Sequence, residues 1–141
     1  MPSIRLFPHS QGVFATPEEL ADWLRTRLGA NGGRYRLLRK GPPKELTRGT
    51  VVLFRHGNHI IGEAVVDRYN REPFTEEGVA YTAQVFFKPE TIRVFDTPVR
   101  VDDLQQVDGV TKNLQGANAY TVIEAPSVYE RFRALAGKTL V

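Results

Sequence analysis

Residues 53–66 have the sequence LFRHGNHIIGEAVV, in which two apolar runs flank a short polar stretch. Residues 50–55 and 60–67 are rich in β-branched and aromatic side chains, which favour strands. Gly57 and Asn58 lie between the runs and are residue types that a two-residue hairpin turn uses. The stretch therefore predicts a β-hairpin, and the rest of the chain is interpreted around it.

Two histidines lie beside the predicted turn. A metal site there would need His56 and His59 to share an ion with a third ligand from His9, Glu63 or Asp67. The two side chains instead project from opposing strand positions, and the chain has no cysteine to support them. We predict a solvated hairpin tip whose ligand-contacting residues are His56, Asn58 and His59.

Two capping boxes predict a helix near each end of the chain. Thr16 and Glu19 begin a helix over residues 17–28, and Ser127 and Glu130 begin one over residues 127–136. Strands are predicted at residues 3–6, before Pro8, and at 35–38, 50–55, 60–67, 79–87, 90–95 and 120–123, with a short pairing segment at 99–101. Residues 68–78 are predicted to form a long polar loop. The pattern is that of an α+β domain with a curved or barrel-like sheet of about six strands.

The composition limits the class of protein. A chain of 141 residues fits one domain spanning residues 1–141. The absence of cysteine excludes disulfides, thiolate zinc sites and cysteine nucleophiles, and it favours a reducing compartment, so we expect a cytoplasmic protein. No apolar stretch approaches the ~20 residues that span a bilayer, and the first residues lack the order of a secretory signal. We therefore expect a soluble protein with no membrane partner.

The positive charge is concentrated in one segment. Residues 25–48 contain eight basic side chains and one acid, whereas acids outnumber bases in the rest of the chain. A concentrated basic segment attracts a polyanion through its summed field and through counterion release. The alternative is that these side chains only solvate a surface loop.

Residue patterns for common chemistries are missing. No glycine-flanked serine stands with a histidine and an acid as in a hydrolytic triad. The segment 41–44, GPPK, lacks the spacing of a phosphate-binding loop, and its prolines remove amide donors. The paired acids at 76–77 and 102–103 are typical of solvated loops and helix starts. We therefore predict no catalytic residues, no metal and no cofactor.

Residues 48–66, RGTVVLFRHGNHIIGEAVV, resemble the shared signature of the PUA-like superfamily, particularly its EVE and YTH branches. In those domains a "GD-x-V-L-F-Y-H" strand and a "G-x-A-x-V" strand form a hairpin. Residues 85–104, VFFKPETIRVFDTPVRVDDL, are similar to the strand, proline and short-helix passage that follows, and the resemblance extends over residues 17–135. It implies a small twisted β-barrel flanked by helices.

The resemblance also implies a pocket that receives a single base. In YTH and EVE readers this pocket is an aromatic cage; here residues 35–38 would form one wall and the loop after the second hairpin strand the other, although neither carries the tryptophan of YTH domains. Aromatic faces stack on bases while arginine and lysine hold phosphates. The predicted base pocket consists of Tyr35, Leu37, Tyr69, Phe74, Tyr81, Asn113 and Asn118. The predicted phosphate-binding residues are Arg34, Arg36, Arg39, Lys40, Lys44, Arg48 and Arg55.

These features predict a non-catalytic module that recognises a modified base in DNA by base flipping, as the targeting domain of a modification-dependent restriction endonuclease. Its partners would be nucleic acid, with DNA favoured over RNA, and a nuclease or motor domain or subunit that supplies cleavage. Two alternatives stay open. One is an ASCH-like ribonuclease or small hydrolase using Lys40 or Lys44 with a carboxylate, and the other is a PUA-like domain that binds structured RNA.

Overall fold

The computed structural model describes residues 3–9, 13–38, 42–110, 114, 121–123, 126–136 and 139–140. The strands are β1 Ile4–His9, β2 Arg34–Leu37, β3 Val51–His56, β4 His59–Asn70, β5 Phe74–Glu76, β6 Val79–Tyr81, β7 Ala83–Phe87, β8 Arg93–Arg100, β9 Thr121–Ile123 and β10 Thr139–Leu140. The helices are α1 Pro17–Trp23, continued by the π-helical segment Leu24–Leu28, α2 Val101–Gln105 and α3 Pro126–Ala136, with a 3-10 turn at Pro89–Thr91. The predicted α+β class is confirmed, with ten described strands in place of about six.

The predicted hairpin is formed by β3 and β4. The two strands pair antiparallel from Val51 opposite Val65 to His56 opposite His59, with one register shift between Phe54 and Arg55. Gly57 begins the turn with a φ of 58°, a conformation that glycine adopts without steric cost. The hairpin forms the centre of the sheet.

The other strands extend this hairpin on both sides. The sheet order is β10-β8-β4-β3-β1-β9, and β7 pairs with the far end of β4 and with β2. The strands β1 and β3 are parallel, whereas the remaining pairs are antiparallel. No pairing between the described strands closes this sheet, which is curved and open rather than a complete barrel.

The centre of the sheet is buried on both faces. Along β3, Val52 and Phe54 belong to a core cluster beneath α1, whereas Val51 and Leu53 belong to a second cluster beneath α2 and α3. A strand covered on both faces has a continuous apolar run instead of an alternating one. This explains why residues 51–54, VVLF, contain no polar side chain. Among the described residues, no helix is long and apolar enough to cross a membrane.

The first helix begins as its sequence predicts. Thr16 Oγ1 accepts a hydrogen bond from the Glu19 amide at 3.3 Å, and Glu19 Oε2 accepts one from the Ala15 amide at 2.8 Å. Its last turn is wider than an α-helical turn, as the π-helical segment shows. Leu20, Leu24 and Leu28 are buried against the sheet.

The bounds of several predicted strands and of the predicted loop are corrected. Pro8 does not end β1, because β9 pairs only with residues 4–6 and Pro8 lies where β1 has a single described neighbour, a position in which proline is tolerated. Residues 68–70 continue β4 instead of beginning a loop, and residues 74–81 form a separate hairpin. The polar residues Arg68 and Asn70 pair with β7 on either side of Tyr69, so their polarity marks an alternating strand. Residues 90–91 lie in the 3-10 turn, and residues 99–100 belong to β8.

The turn before β2 offers a matched pair of glycines. Gly32 and Gly33 both have positive φ, at 69° and 80°, but only Gly33 is crowded: a Cβ there would lie 1.9 Å from the Phe87 carbonyl oxygen, while one at Gly32 would meet nothing within 4 Å. We predict that Gly32→Ala lowers the free energy of unfolding by about 1–2 kcal/mol, the cost of the left-handed backbone. Gly33→Ala should lose a further ~1–3 kcal/mol because the neighbouring main chain must move.

Urea denaturation of both variants measures the difference. Equal destabilisation of the two variants would show that β2 can move away from β7 at no cost, contrary to the close approach of Gly33 to the Phe87 carbonyl.

Candidate functional site

A cleft of about 850 Å³ lies beside β2. Its lining includes Pro8 and His9 at the end of β1, Phe14 and Trp23 from the α1 region, residues 34–38 and Arg55 near the end of β3. Glu76, Glu77 and Tyr81 of the β5–β6 hairpin also line it. The cleft therefore lies where the end of the β1–β3 pair meets the strand at the edge of the other half of the sheet.

One edge of β2 has no described strand beside it. Gly33 O accepts a hydrogen bond from the Phe87 amide, and Leu37 O accepts one from the Thr82 amide, both at 2.8 Å. The odd-numbered residues of β2 thus direct their main chain toward β7, and an antiparallel strand directs the alternate residues the other way. The N–H and C=O of Arg36 consequently face away from β7, with no described strand beside them.

Four rings form a continuous aromatic wall. His9 contacts Phe14, Phe14 contacts Trp23, Trp23 contacts Tyr35 and Tyr35 contacts His9, with centroid distances of 5.7, 5.8, 5.7 and 5.8 Å. Phe7 and Phe54 pack behind Tyr35 and connect the wall to the buried core. Because Tyr35 faces inward from β2 and His9 lies at the end of β1, the wall joins the two halves of the sheet.

His9 is held in the neutral form. Its Nδ1 lies 3.1 Å from the Arg55 carbonyl oxygen and its Nε2 lies 2.6 Å from the Tyr35 hydroxyl oxygen. Since a carbonyl oxygen only accepts, Nδ1–H donates to Arg55 O, and the Tyr35 hydroxyl donates to Nε2. Burial lowers the pKa of His9 from 6.5 to about 4. The hydrogen bond to the Arg55 carbonyl raises this pKa by a smaller amount, and the nearby His56 lowers it by less still. Both ring nitrogens are occupied, so His9 positions Tyr35.

Arg55 is a buried cation at the same place. Its Nε donates to Gly57 O and its Nη1 donates to Leu114 O, each at 2.7 Å. Burial lowers the pKa of its guanidinium from the ordinary value. No carboxylate of the described residues lies within ion-pair distance of it.

The arginines of β2 form one network with the β5–β6 hairpin. Glu76 accepts hydrogen bonds from Arg34 Nη1 at 3.1 Å and from Arg36 Nη1 at 2.9 Å, and these bonds hold the pKa of Glu76 below its usual range. Phe74 and Tyr81 stack with centroids 5.1 Å apart, and Arg34 and Arg36 lie over their respective rings. The hairpin is thereby fixed against the outer face of β2.

Several predicted residues do come together. Tyr35, Leu37 and Tyr81 of the predicted base pocket line the cleft, as do Arg34, Arg36 and Arg55 of the predicted phosphate-binding set. Lys44 and Arg48 are exposed and lie away from its lining, and Arg48 pairs with Asp67 at 3.4 Å. Arg39, Lys40, Asn113 and Asn118 lie outside the described residues.

Other predicted residues lie elsewhere. Tyr69 packs on the core beneath α1 and donates to Pro43 O at 2.6 Å, so it does not line the cleft. Phe74 lies beneath Arg34 and behind Tyr81, outside the lining. His56 is buried, contrary to its predicted position at a solvated tip, and its Nε2–H donates to Phe14 O at 2.7 Å. Asn58 and His59 are exposed, as predicted.

Sequence reasoning missed three members of the aromatic wall. Trp23 packs against the core, as its helical spacing predicts, and also lines the cleft. His9 and Phe14 become part of the site only through the parallel pairing of β1 with β3 and the contact of His56 with Phe14 O, and a single sequence carries no signal for either. Among the described residues, no three histidine, aspartate or glutamate side chains are grouped as a metal site would need.

Comparisons with known proteins concern the fold. No model of a known protein family matches the sequence, and no curated protein matches it. The chain is similar in structure to Rpa0253 from Rhodopseudomonas palustris, solved by NMR, with a TM-score of 0.54, 16% identity and coverage of 95% of this chain and 90% of that one. It also aligns with the YTH domain of the Zygosaccharomyces rouxii MRB1 protein, solved in complex with N6-methyladenosine RNA, with a TM-score of 0.46, 11% identity and coverage of 96% and 88%. The first likeness shows that the α+β fold is shared with Rpa0253.

The buried, neutral His9 predicts a specific acid sensitivity. A histidine whose folded pKa is lowered stabilises the fold above its unfolded pKa and loses that contribution as the pH falls toward the folded value. Between pH 6.5 and about 4, the free energy of unfolding should therefore fall by about 3 kcal/mol through His9. The gap in unfolding free energy between the wild type and His9→Gln should narrow by that amount over the same range.

Urea denaturation at several pH values measures the gap. His59→Gln removes an imidazole from an exposed position of the central hairpin and is the matched control. Equal narrowing in both variants would contradict the role of burial at His9.

Proposed function

We propose that this chain is a non-catalytic nucleic-acid-binding module that recognises a modified base flipped into the cleft beside β2. It would serve as the targeting domain of a modification-dependent restriction endonuclease, with cleavage supplied by another domain or subunit. The proposed ligand is DNA rather than RNA, as the resemblance of residues 48–66 to the PUA-like domains of restriction systems implies.

The observation that carries the proposal is the aromatic wall beside an open strand edge. Trp23, Tyr35 and Arg36 line the cleft, and the edge of β2 at Arg36 has no described strand beside it. A flipped base needs both features, since extruding it costs a few kcal/mol that stacking and hydrogen bonds to its edge must offset. Aromatic stacking contributes about 1–3 kcal/mol per base.

The charge around the cleft supports the same ligand. Arg34 and Arg36 project from β2 beside the cleft, within the basic segment of residues 25–48. Glu76 neutralises part of this charge and orients both guanidinium groups. Oriented arginines at the mouth of an aromatic cleft suit the phosphates that flank a flipped nucleotide.

The absence of catalysis is part of the proposal. Of the described carboxylates, those lining the cleft are Glu76 and Glu77, and Glu76 is engaged by two arginines. His9 has both ring nitrogens occupied and is neutral over the physiological range, which suits a positioning role. Neither group is arranged as a general base beside a nucleophile.

Binding to duplexes that differ in one modified base tests the proposal. At matched salt, the chain should prefer the duplex whose modification it recognises, and Tyr35→Ala should reduce that preference by about 10- to 100-fold through lost stacking. Tyr69→Ala is the matched control, because both tyrosines pack on the same core cluster and only Tyr35 lines the cleft. Fluorescence anisotropy measures the affinities, and circular dichroism confirms that both variants fold.

Equal affinity of the wild type for modified and plain duplexes would remove the modified-base proposal. A preference abolished by Tyr69→Ala and kept by Tyr35→Ala would place recognition away from the cleft. RNA carrying the same modification belongs in the panel, and its tighter binding would favour the RNA-binding alternative. Metal-dependent turnover of either nucleic acid would contradict the absence of catalysis.

A second prediction separates phosphate contact from base recognition. Arg36→Ala should weaken binding to all sequences alike and reduce the slope of log affinity against log salt by about 1, because one phosphate contact is lost. Arg25→Ala is the control, since it removes the same charge from an exposed helical position outside the cleft. Equal changes in slope for both variants would indicate that only net charge matters.

A further inference from the structure

Arg55 is the least expected residue in the cleft. Its side chain is 8% exposed, although it follows an apolar run in the middle of the domain. Removing a guanidinium from water costs several kcal/mol unless other groups compensate for its charge. The partners of Arg55 therefore indicate what it is positioned to do.

The described residues satisfy this guanidinium only in part. Nε and Nη1 donate to the main-chain oxygens of Gly57 and Leu114, which are neutral acceptors. The second terminal nitrogen, Nη2, has no hydrogen-bond partner among the described residues. No described side-chain nitrogen or oxygen is both fully buried and unpartnered, so Nη2 is not fully buried, and Arg55 is one of the residues that line the cleft.

The position of this nitrogen limits what it can contact. Arg34 and Arg36 are partly exposed at β2, whereas Arg55 is buried near the end of β3. Its carbonyl oxygen is also fixed, as the acceptor for His9 Nδ1–H. Among the described residues that line the cleft, Arg55 is thus the most buried cation, and it offers a charged donor held in place by its two main-chain acceptors.

A charged donor in a buried site discriminates strongly between base edges. It favours a carbonyl oxygen and disfavours an amino group, because two donors facing each other leave both unpaired. Cytosine, thymine, uracil and guanine carry an exocyclic carbonyl oxygen, whereas the acceptors of adenine are ring nitrogens and its exocyclic group is an amino donor. A charged donor that faces the exocyclic position therefore favours the carbonyl-bearing bases over adenine.

We propose that Arg55 Nη2 forms a subsite for one carbonyl oxygen of the flipped base, so that the cleft selects a carbonyl-bearing modified base and rejects N6-methyladenine. This inference rests on the proposed function and specifies its class of ligand. A phosphate oxygen offers the same acceptor chemistry. An abasic duplex, which keeps the phosphates and lacks the base, distinguishes the two sources.

The test compares duplexes that carry 5-methylcytosine, 5-hydroxymethylcytosine, 5-hydroxymethyluracil, N6-methyladenine or an abasic site at one position. The wild type should prefer a carbonyl-bearing base over N6-methyladenine. Arg55→Met should reduce affinity for the preferred duplex by about 10- to 100-fold, the effect of losing a charged hydrogen bond, with little change for the abasic duplex. Arg55→Lys keeps the charge without the planar fork, so it should restore only part of the preference.

A measurement on the unaltered protein keeps the proposal testable if Arg55→Met fails to fold, since Arg55 also holds Leu114 O. Replacing each carbonyl oxygen of the preferred base by hydrogen in turn should show one position at which affinity falls by a similar factor. No loss at any position would overturn the proposal.

The remaining outcomes distinguish a failure of the Arg55 subsite from a failure of the proposed function. A wild-type preference for N6-methyladenine, or a carbonyl-base preference that survives Arg55→Met, overturns the Arg55 subsite and leaves the proposed function intact. An equal loss for the abasic duplex assigns Arg55 to a phosphate and also overturns it. A wild type that binds all duplexes equally overturns both.

Discussion

The pairing of β4 with three other strands is the constraint on which the rest of the structure depends. Its first part lies between β3 and β8, and its last residues pair with β7. Register shifts after Ile60 and after Val66 bend the strand between these partners. Because β2 pairs only with β7 among the described strands, the bend in β4 brings Tyr35 to the end of β1. The cleft is the space left where the two halves meet.

The end of β3 organises the loops around this space. Residues 51–54 are apolar and serve two cores, but the next two residues, Arg55 and His56, are polar and equally buried. Each donates to the main chain of a distant segment, Arg55 to Leu114 O and His56 to Phe14 O. Buried donors that hold a carbonyl are costly to remove, since the partner loses its hydrogen bond as well. The strand end therefore holds Leu114 and also Phe14, which lines the cleft.

The sequence predicted the local elements well because their signals are local. The Gly57–Asn58 turn and the Thr16 capping box both depend on residues within a few positions of each other, and both are present in the structure. The polar residues of 68–78 were misassigned because Arg68 and Asn70 face outward from a strand whose partner, β7, is distant in sequence. Of the five described residues of the predicted base pocket, the three that line the cleft come from β2 and β6.

The missing parts of the site depend on long-range pairing. His9 reaches Tyr35 only because β1 inserts parallel to β3, a contact between residues 26 positions apart that has no periodic signature. Likewise, the burial of Arg55 cannot be predicted from β3 alone, since an arginine after an apolar run is usually solvated. Only the sheet order shows that the strand end is covered.

The fold is shared with Rpa0253 at 16% identity. A fold by itself does not specify a ligand, since one fold can carry unrelated binding sites. Under the proposed function, specificity comes from groups in the cleft whose hydrogen-bonding capacity the other described residues leave unused. His9 is not such a group, since both of its nitrogens are occupied. Among the described residues, Arg55 Nη2 has no hydrogen-bond partner and the main chain of Arg36 has no strand beside it; Arg55 is buried, whereas Arg36 lies along the strand edge. Arg36 and Arg55 line the same cleft as the rings of Trp23 and Tyr35, so a planar ligand that stacks on the wall would have both arginine residues in its surroundings.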